Sequence, residues 1–224
     1  MAEVLVTGGD TELGRTIAGG FVEAGHNVVL AGARREDLEL NAKQLDVASI
    51  VMDNTDPVSV ESARARFPHH LDTLVNVPAP LFEAKDPRTF NLADHATAWH
   101  NALDATVVSA VLTVQIVGDH LRSGGSIVNI TTANPRAGSV DAAVKAALAD
   151  WTAGQAEYFG TRGITVNTLA PGLSAEPGYD GLGATPPSVA EEFARLAMFL
   201  STGPARHITG QTMHVNRPVV AAVG

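Results

Sequence analysis

Asp141 and Lys145, four residues apart, are the ionisable pair in the chain whose spacing most suggests chemistry. On a helix that spacing brings them to one face, where the lysine attracts the carboxylate and holds it ionised. Carboxyl groups of aspartates ionise near pH ~4 in water, so at neutral pH such a group has no proton to donate and is a poor base for an alcohol. The pair therefore reads as a helix salt bridge with its acid at the N-terminal end. A second arrangement lies near the start, where Thr7-Gly8-Gly9-Asp10-Thr11-Glu12-Leu13-Gly14 follows an apolar run and precedes a helix-period segment. Strand, glycine turn and helix in succession bring free backbone N–H groups and the positive end of a helix dipole to one point, which suits a pyrophosphate. Asp10 and Glu12 put negative charge into that turn. Glu12 either crowds and repels an anion there or points to solvent as a helix-start residue. The eight histidines lack H-x-x-x-H and H-E-x-x-H spacing and there is no cysteine, so no metal is assigned and thiolate chemistry and disulfides are excluded.

These groups must be held by a framework, and the hydropathy pattern supplies one. Short β-branched runs are expected as strands at Val4–Thr7, Asn27–Ala31, Ser49–Met52, Thr73–Val77, Ser126–Ile130, Thr165–Leu169 and Thr212–Val215. Helix-period segments separate them at Leu13–Ala24, Arg35–Lys43, Val58–Phe67, Asp94–Arg122, Ala142–Phe159 and Val189–Ser201. Apolar strands joined by crossover helices imply an α/β doubly wound (Rossmann) parallel sheet of seven strands in the order 3-2-1-4-5-6-7, with helices on both faces. The ligand crevice then lies at the carboxyl ends of strands one and four. The Pro/Gly-rich stretches Pro78–Pro87 and Pro171–Pro187 fall where strands end and read as crevice loops, so residues 1–224 form a single domain.

With the elements in place, the chain resembles the short-chain dehydrogenase/reductase (SDR) family over essentially its whole length. The family's turn, T-G-x-x-x-G-x-G, is matched by Thr7, Gly8 and Gly14 and departs from it at Glu12. Asp53 and Asn54, in Met52-Asp53-Asn54-Thr55-Asp56, stand at the family's D-V-T-D element beside the adenine. Asn76 is what remains of N-N-A-G in Asn76-Val77-Pro78-Ala79, and Pro78 removes a backbone donor from a stretch that lines the cofactor. Ala170-Pro171-Gly172 matches the P-G element beside the nicotinamide. Ala33 stands where an acid would read the ribose of NAD, and Arg34 after it suits the 2′-phosphate of NADP. The resemblance thus implies a cofactor site of Gly8, Gly14, Arg34, Asp53, Asn54, Asn76, Lys145, Pro171 and Gly172, taking NADP in preference to NAD and, because of Glu12, weakly.

The family's chemistry uses a tyrosine, a lysine four residues later, a serine and an asparagine. Ala142-Ala143-Val144-Lys145-Ala146-Ala147-Leu148 resembles its S-A-S-K-A-A-L run and gives Lys145 the lysine's place. Asp141 then replaces the tyrosine, Thr132 the serine and Thr106 the asparagine. Of the two tyrosines, Tyr158 reads as core or interface, and Tyr179 as a residue of the loop over the substrate. Two functions stay open: an NADP-dependent oxidoreductase of a small carbonyl or alcohol, impaired by the Asp141, Thr132 and Lys145 set, or an inactive relative that binds a nucleotide or a partner as an oligomeric subunit.

Asp94–Arg122 is apolar nearly all round and Ala142–Phe159 carries surplus alanines, so both call for a second buried surface. The family resemblance implies that the partner is a second copy of the chain, as a homodimer through these helices that extends to a homotetramer through the Thr209–Val215 region. A net charge of −9 argues against nucleic acid. Ala105–Val117, the most apolar stretch, falls short of the ~20 residues of a membrane span, and a cytoplasmic address follows.

Overall fold

The computed structural model describes residues 1–79, 87–131, 139–171 and 189–215. Thr132, Gly172 and Tyr179 lie outside the described residues. In chain order the structure runs β1 (Glu3–Val6), α1 (Glu12–Glu23), β2 (Asn27–Gly32), α2 (Arg35–Leu45), β3 (Ala48–Val51), α3 (Pro57–Ala63), β4 (Leu71–Asn76), α4 (Leu92–Leu103), α5 (Ser109–Val117), β5 (Leu121–Ile130), α6 (Val140–Gly160), β6 (Thr165–Pro171), α7 (Val189–Leu200) and β7 (Thr212–Val215). All seven strands pair in parallel in the order β3-β2-β1-β4-β5-β6-β7, the doubly wound topology expected from the sequence.

Successive residues of a strand face opposite sides, and β1 divides its apolar side chains accordingly. Val4 and Val6 enter one core with Ile17 and Phe21 of α1 and Leu200 of α7, while Leu5 enters the other with Val114 of α5 and Phe159 of α6. Helices start where side chains cap them. Thr11 accepts from the Gly14 N–H, Asp56 precedes a proline at the first turn of α3, Asn91 and Asp94 form a reciprocal capping box, and Ser139 accepts from the Ala142 N–H.

The long helix foreseen over Asp94–Arg122 forms as one continuous helical segment, Leu92–His120, whose hydrogen-bonding pattern changes along its length. A π-helical turn at Asp104–Val108 separates α4 from α5, a 3₁₀ turn follows at Gly118–His120, and Arg122 already belongs to β5. Leu92–His120 together is 29 residues long and contains an 18-residue window of mean hydropathy 1.4, so by length and composition it meets the test for a membrane span that Ala105–Val117 alone falls short of. Half of that window is buried against the rest of the fold, which is how a core helix meets a length-and-hydropathy test.

Candidate dinucleotide site

The glycine turn is closed by short-range bonds that only these residues permit. Gly8 adopts φ 60°, a left-handed conformation that L side chains rarely take. Its carbonyl accepts from the Thr11 N–H at 2.9 Å and the Thr11 hydroxyl at 2.6 Å. Helix α1 packs so closely on the turn that a Cβ on Gly14 would stand 2.1 Å from the Gly8 carbonyl oxygen. The Thr7 hydroxyl ties the turn to β4, donating to the Val77 carbonyl and accepting from its N–H. From α2, the Asn41 amide donates to the Gly9 carbonyl at 2.8 Å. With Gly14 N–H capped by Thr11, the N–H groups of Glu12 and Leu13 have no acceptor among the described residues. They are the helix-start donors that a pyrophosphate takes. Glu12 is exposed at the first position of α1, so its bulk does not fill the turn and only its charge bears on an incoming anion.

Arg34 is not the open guanidinium that its place after β2 suggests. Its Nε lies 3.0 Å from Asp10 Oδ2, its Nη2 bonds the Asp10 carbonyl, and its Nη1 lies 2.8 Å from Asp37. The Arg34 N–H also donates to Asp10 Oδ2 at 3.1 Å, and the Asp10 side chain is 1% exposed. Asp10 reads as a helix-start acid in the sequence, and the 24 residues separating it from Arg34 hide the pairing. Asp53 accepts the Thr55 N–H and hydroxyl on Oδ1, which fixes the turn after β3, with Asn54 buried beside it.

Below the crevice a chain of buried polar groups crosses the fold. Asn76 on β4 donates to Asn129 on β5, Asn129 donates to Thr152 on α6, and Thr152 meets Thr168 on β6 at 2.8 Å. Such groups are costly to bury unpaired, so the chain locks α6 against the strands. Lys145 stands two helical turns before Thr152 and therefore on the same inward face. It is half-buried, as is Asp141 in the first turn of α6. The salt bridge expected between them does not form: no Asp141–Lys145 ion pair is present among the described residues. Thr106, at the asparagine's place, lies in the π-turn, where the Ala105 carbonyl accepts from both the Ala79 N–H and the Ser109 hydroxyl. The bulge thus anchors the segment that follows β4. Pro171 ends β6, beside β7.

His214, exposed on β7, is held below the ordinary histidine pKa, first by partial burial and then by repulsion from Lys145. Its folded value lies below that of the unfolded chain, about 6.5. Its neutral form is therefore favoured in the fold, and stability falls as the pH drops from the unfolded value toward the folded one. In an NMR titration, Lys145→Met should raise the His214 pKa without fully restoring the ordinary value, because the burial remains. An unchanged titration would remove Lys145 from the neighbourhood of β7.

Comparison with known proteins fits this geometry. The family model described as enoyl-(acyl carrier protein) reductase matches residues 10–217. A Mycobacterium tuberculosis (strain H37Rv) protein provisionally named an oxidoreductase is 63% identical over 222 residues, covering 99% of this chain and 100% of the relative. The 3-oxoacyl-(acyl-carrier-protein) reductase of Escherichia coli K12 is 29% identical, covering 95% of this chain and 94% of that protein. Among solved structures, a short chain dehydrogenase from Burkholderia cenocepacia J2315 in complex with NADP superposes with a TM-score of 0.77 at 30% identity, covering 95% of each chain.

Proposed function

The chain belongs to the short-chain dehydrogenase/reductase family, and from that premise we propose that its crevice binds a nicotinamide dinucleotide whose redox chemistry the chain itself supports poorly. The observation that carries the reading is the Gly8–Gly14 turn, whose close approach to α1 leaves two helix-start N–H groups for a pyrophosphate. Asp53 and Asn54 stand at the adenine end and Asn76 at the middle, while Lys145 and Pro171 stand at the nicotinamide end. Gly172 and Thr132 adjoin that end in sequence.

When bound, the nicotinamide supplies or accepts a hydride. What this chain adds is limited. Lys145 can hold a ribose hydroxyl, but Asp141 puts a short carboxyl side chain where the family's chemistry uses a tyrosine hydroxyl, so the proton transfer that accompanies hydride transfer is poorly served. The function is therefore dinucleotide binding with impaired carbonyl–alcohol oxidoreduction, in a cytoplasmic protein without a nucleic-acid partner.

Calorimetric titration with NADH and NADPH tests the binding. Saturable 1:1 binding of at least one of them supports the reading, and binding of neither contradicts it. Glu12→Gln should strengthen whichever binds by about threefold to tenfold, because a unit charge a few ångströms away in solvent is worth on the order of 1 kcal/mol. An unchanged affinity would show that the Glu12 charge does not reach the ligand.

A second observation favours a second copy of the chain as partner. On the α4–α6 side, Val107, Val108 and Val111 stay only half-buried, while Ala146, Ala153 and Gly154 are exposed and small enough for close helix approach. Leu112, by contrast, packs with Trp151 on the sheet's own core. We expect a dimer by light scattering at micromolar concentration, and a monomer that stays folded for Val108→Asp with Val111→Asp. A wild-type monomer would refute the dimer, and so would a variant that still dimerises.

A further inference from the structure

We propose that Asp10, a residue of the glycine turn, is the group that reads the adenosine ribose, and that it selects NAD(H) over NADP(H). In doubly wound dinucleotide folds the ribose is read at the end of β2, by an acid for the free 2′-hydroxyl or by an arginine for the 2′-phosphate. Here the end of β2 carries Gly32 and Ala33, neither of which is an acid. The carboxylate in that corner comes from β1's turn instead.

Asp10 lies directly over Gly32: a Cβ on Gly32 would stand 2.5 Å from Asp10 Oδ1. The absence of a side chain on Gly32 is thus the condition for Asp10 to occupy the corner. Asp10 Oδ2 takes the Arg34 N–H and Nε, and the same guanidinium reaches Asp37 at 2.8 Å. One cation is therefore shared by two carboxylates, and the corner carries net negative charge. A 2′-phosphate brings more negative charge to it and needs Arg34, whose release would leave a buried carboxylate unpaired. The remaining atom, Asp10 Oδ1, is buried and finds no donor among the described residues. A ribose hydroxyl supplies such a donor and a phosphate dianion does not. Arg34, expected from its place in the sequence to attract the phosphate, instead serves as the partner that holds the Asp10 side chain in place.

The inference rests on the dinucleotide reading of the preceding section, and the test separates the two. NADH and NADPH are titrated by calorimetry into wild type, Asp10→Ser and Asp10→Asn, with melting curves to establish folding. The wild type should bind NADH at least about tenfold more tightly than NADPH, and both variants should bring the ratio down by about tenfold or more, since each removes the carboxylate and releases Arg34. Comparable or tighter NADPH binding by wild type would overturn the role of Asp10 while leaving the dinucleotide reading standing. So would a ratio unchanged in a folded variant. Binding of neither cofactor would overturn both. The wild-type ratio decides the matter by itself should either variant fail to fold.

Discussion

Replacing Gly14 by alanine is expected to lower stability by about 3 kcal/mol and to abolish dinucleotide binding, because the added methyl group has nowhere to go. Its Cβ would meet the Gly8 carbonyl oxygen at 2.1 Å, the Gly8 carbonyl carbon at 2.7 Å and the Gly9 nitrogen at 3.1 Å. All three are backbone atoms, so no rotamer change relieves the clash. Either α1 withdraws from the turn or the turn opens, and in both cases the Thr11 cap and the helix-start donors are displaced. For a chain of this size such a loss corresponds to a fall in Tm of about 6–12 °C. Gly19→Ala, in the same helix, is the control. Its Cβ would make an ordinary 3.6 Å contact with Leu45, and alanine's helix preference should leave the protein equally stable or up to about 1 kcal/mol more stable. If Gly14→Ala melts with the wild type, the close approach of α1 to the turn is wrong.

The second large effect concerns turnover. With NADH or NADPH and a panel of small carbonyl compounds, the wild type should stay well below the ~1 s⁻¹ at which ordinary enzyme rates begin. A positioned general acid contributes about 10²–10⁴ in rate, and position 141 lacks the tyrosine hydroxyl through which the family supplies it. Asp141→Tyr puts a phenol four residues before Lys145 on the inward face of α6, and any measurable gain should come from that variant. A wild-type rate of ~1 s⁻¹ or more would contradict the reading and direct the search for a proton donor to Tyr179.

The framework that holds these groups was largely legible in the sequence because it rests on periodicity. The β1, β2, β4 and β6 runs and the crossover helices repeat with the spacings that burial on both faces demands, and right-handed connection fixes the strand order. The glycine turn was legible for a related reason: Gly8 and Gly14 sit where a positive φ and a close approach require the absence of a side chain. What stayed hidden depends on contacts between residues distant in sequence. Asp10 looked like a helix-start acid and Arg34 like a solvated or phosphate-reading residue, and only the folded juxtaposition of β1 and β2 pairs them. Asp141 and Lys145 had the spacing of a helix pair, yet Lys145 bears instead on His214 of β7. The π-turn at Asp104–Val108 left no recognisable mark in the sequence where α4 passes into the most apolar stretch, Ala105–Val117.

The central claim is that the turn from Gly8 to Gly14 holds the pyrophosphate of a nicotinamide dinucleotide, and amide ¹H–¹⁵N spectra recorded during an NADH titration test it most directly. The account predicts saturable shifts that are largest at the backbone N–H groups of Glu12 and Leu13, accompanied by shifts at Asp10 and Arg34, and lost in Gly14→Ala. A spectrum unchanged by NADH at those amides, or one whose shifts cluster away from the carboxyl ends of β1 and β2, would contradict it.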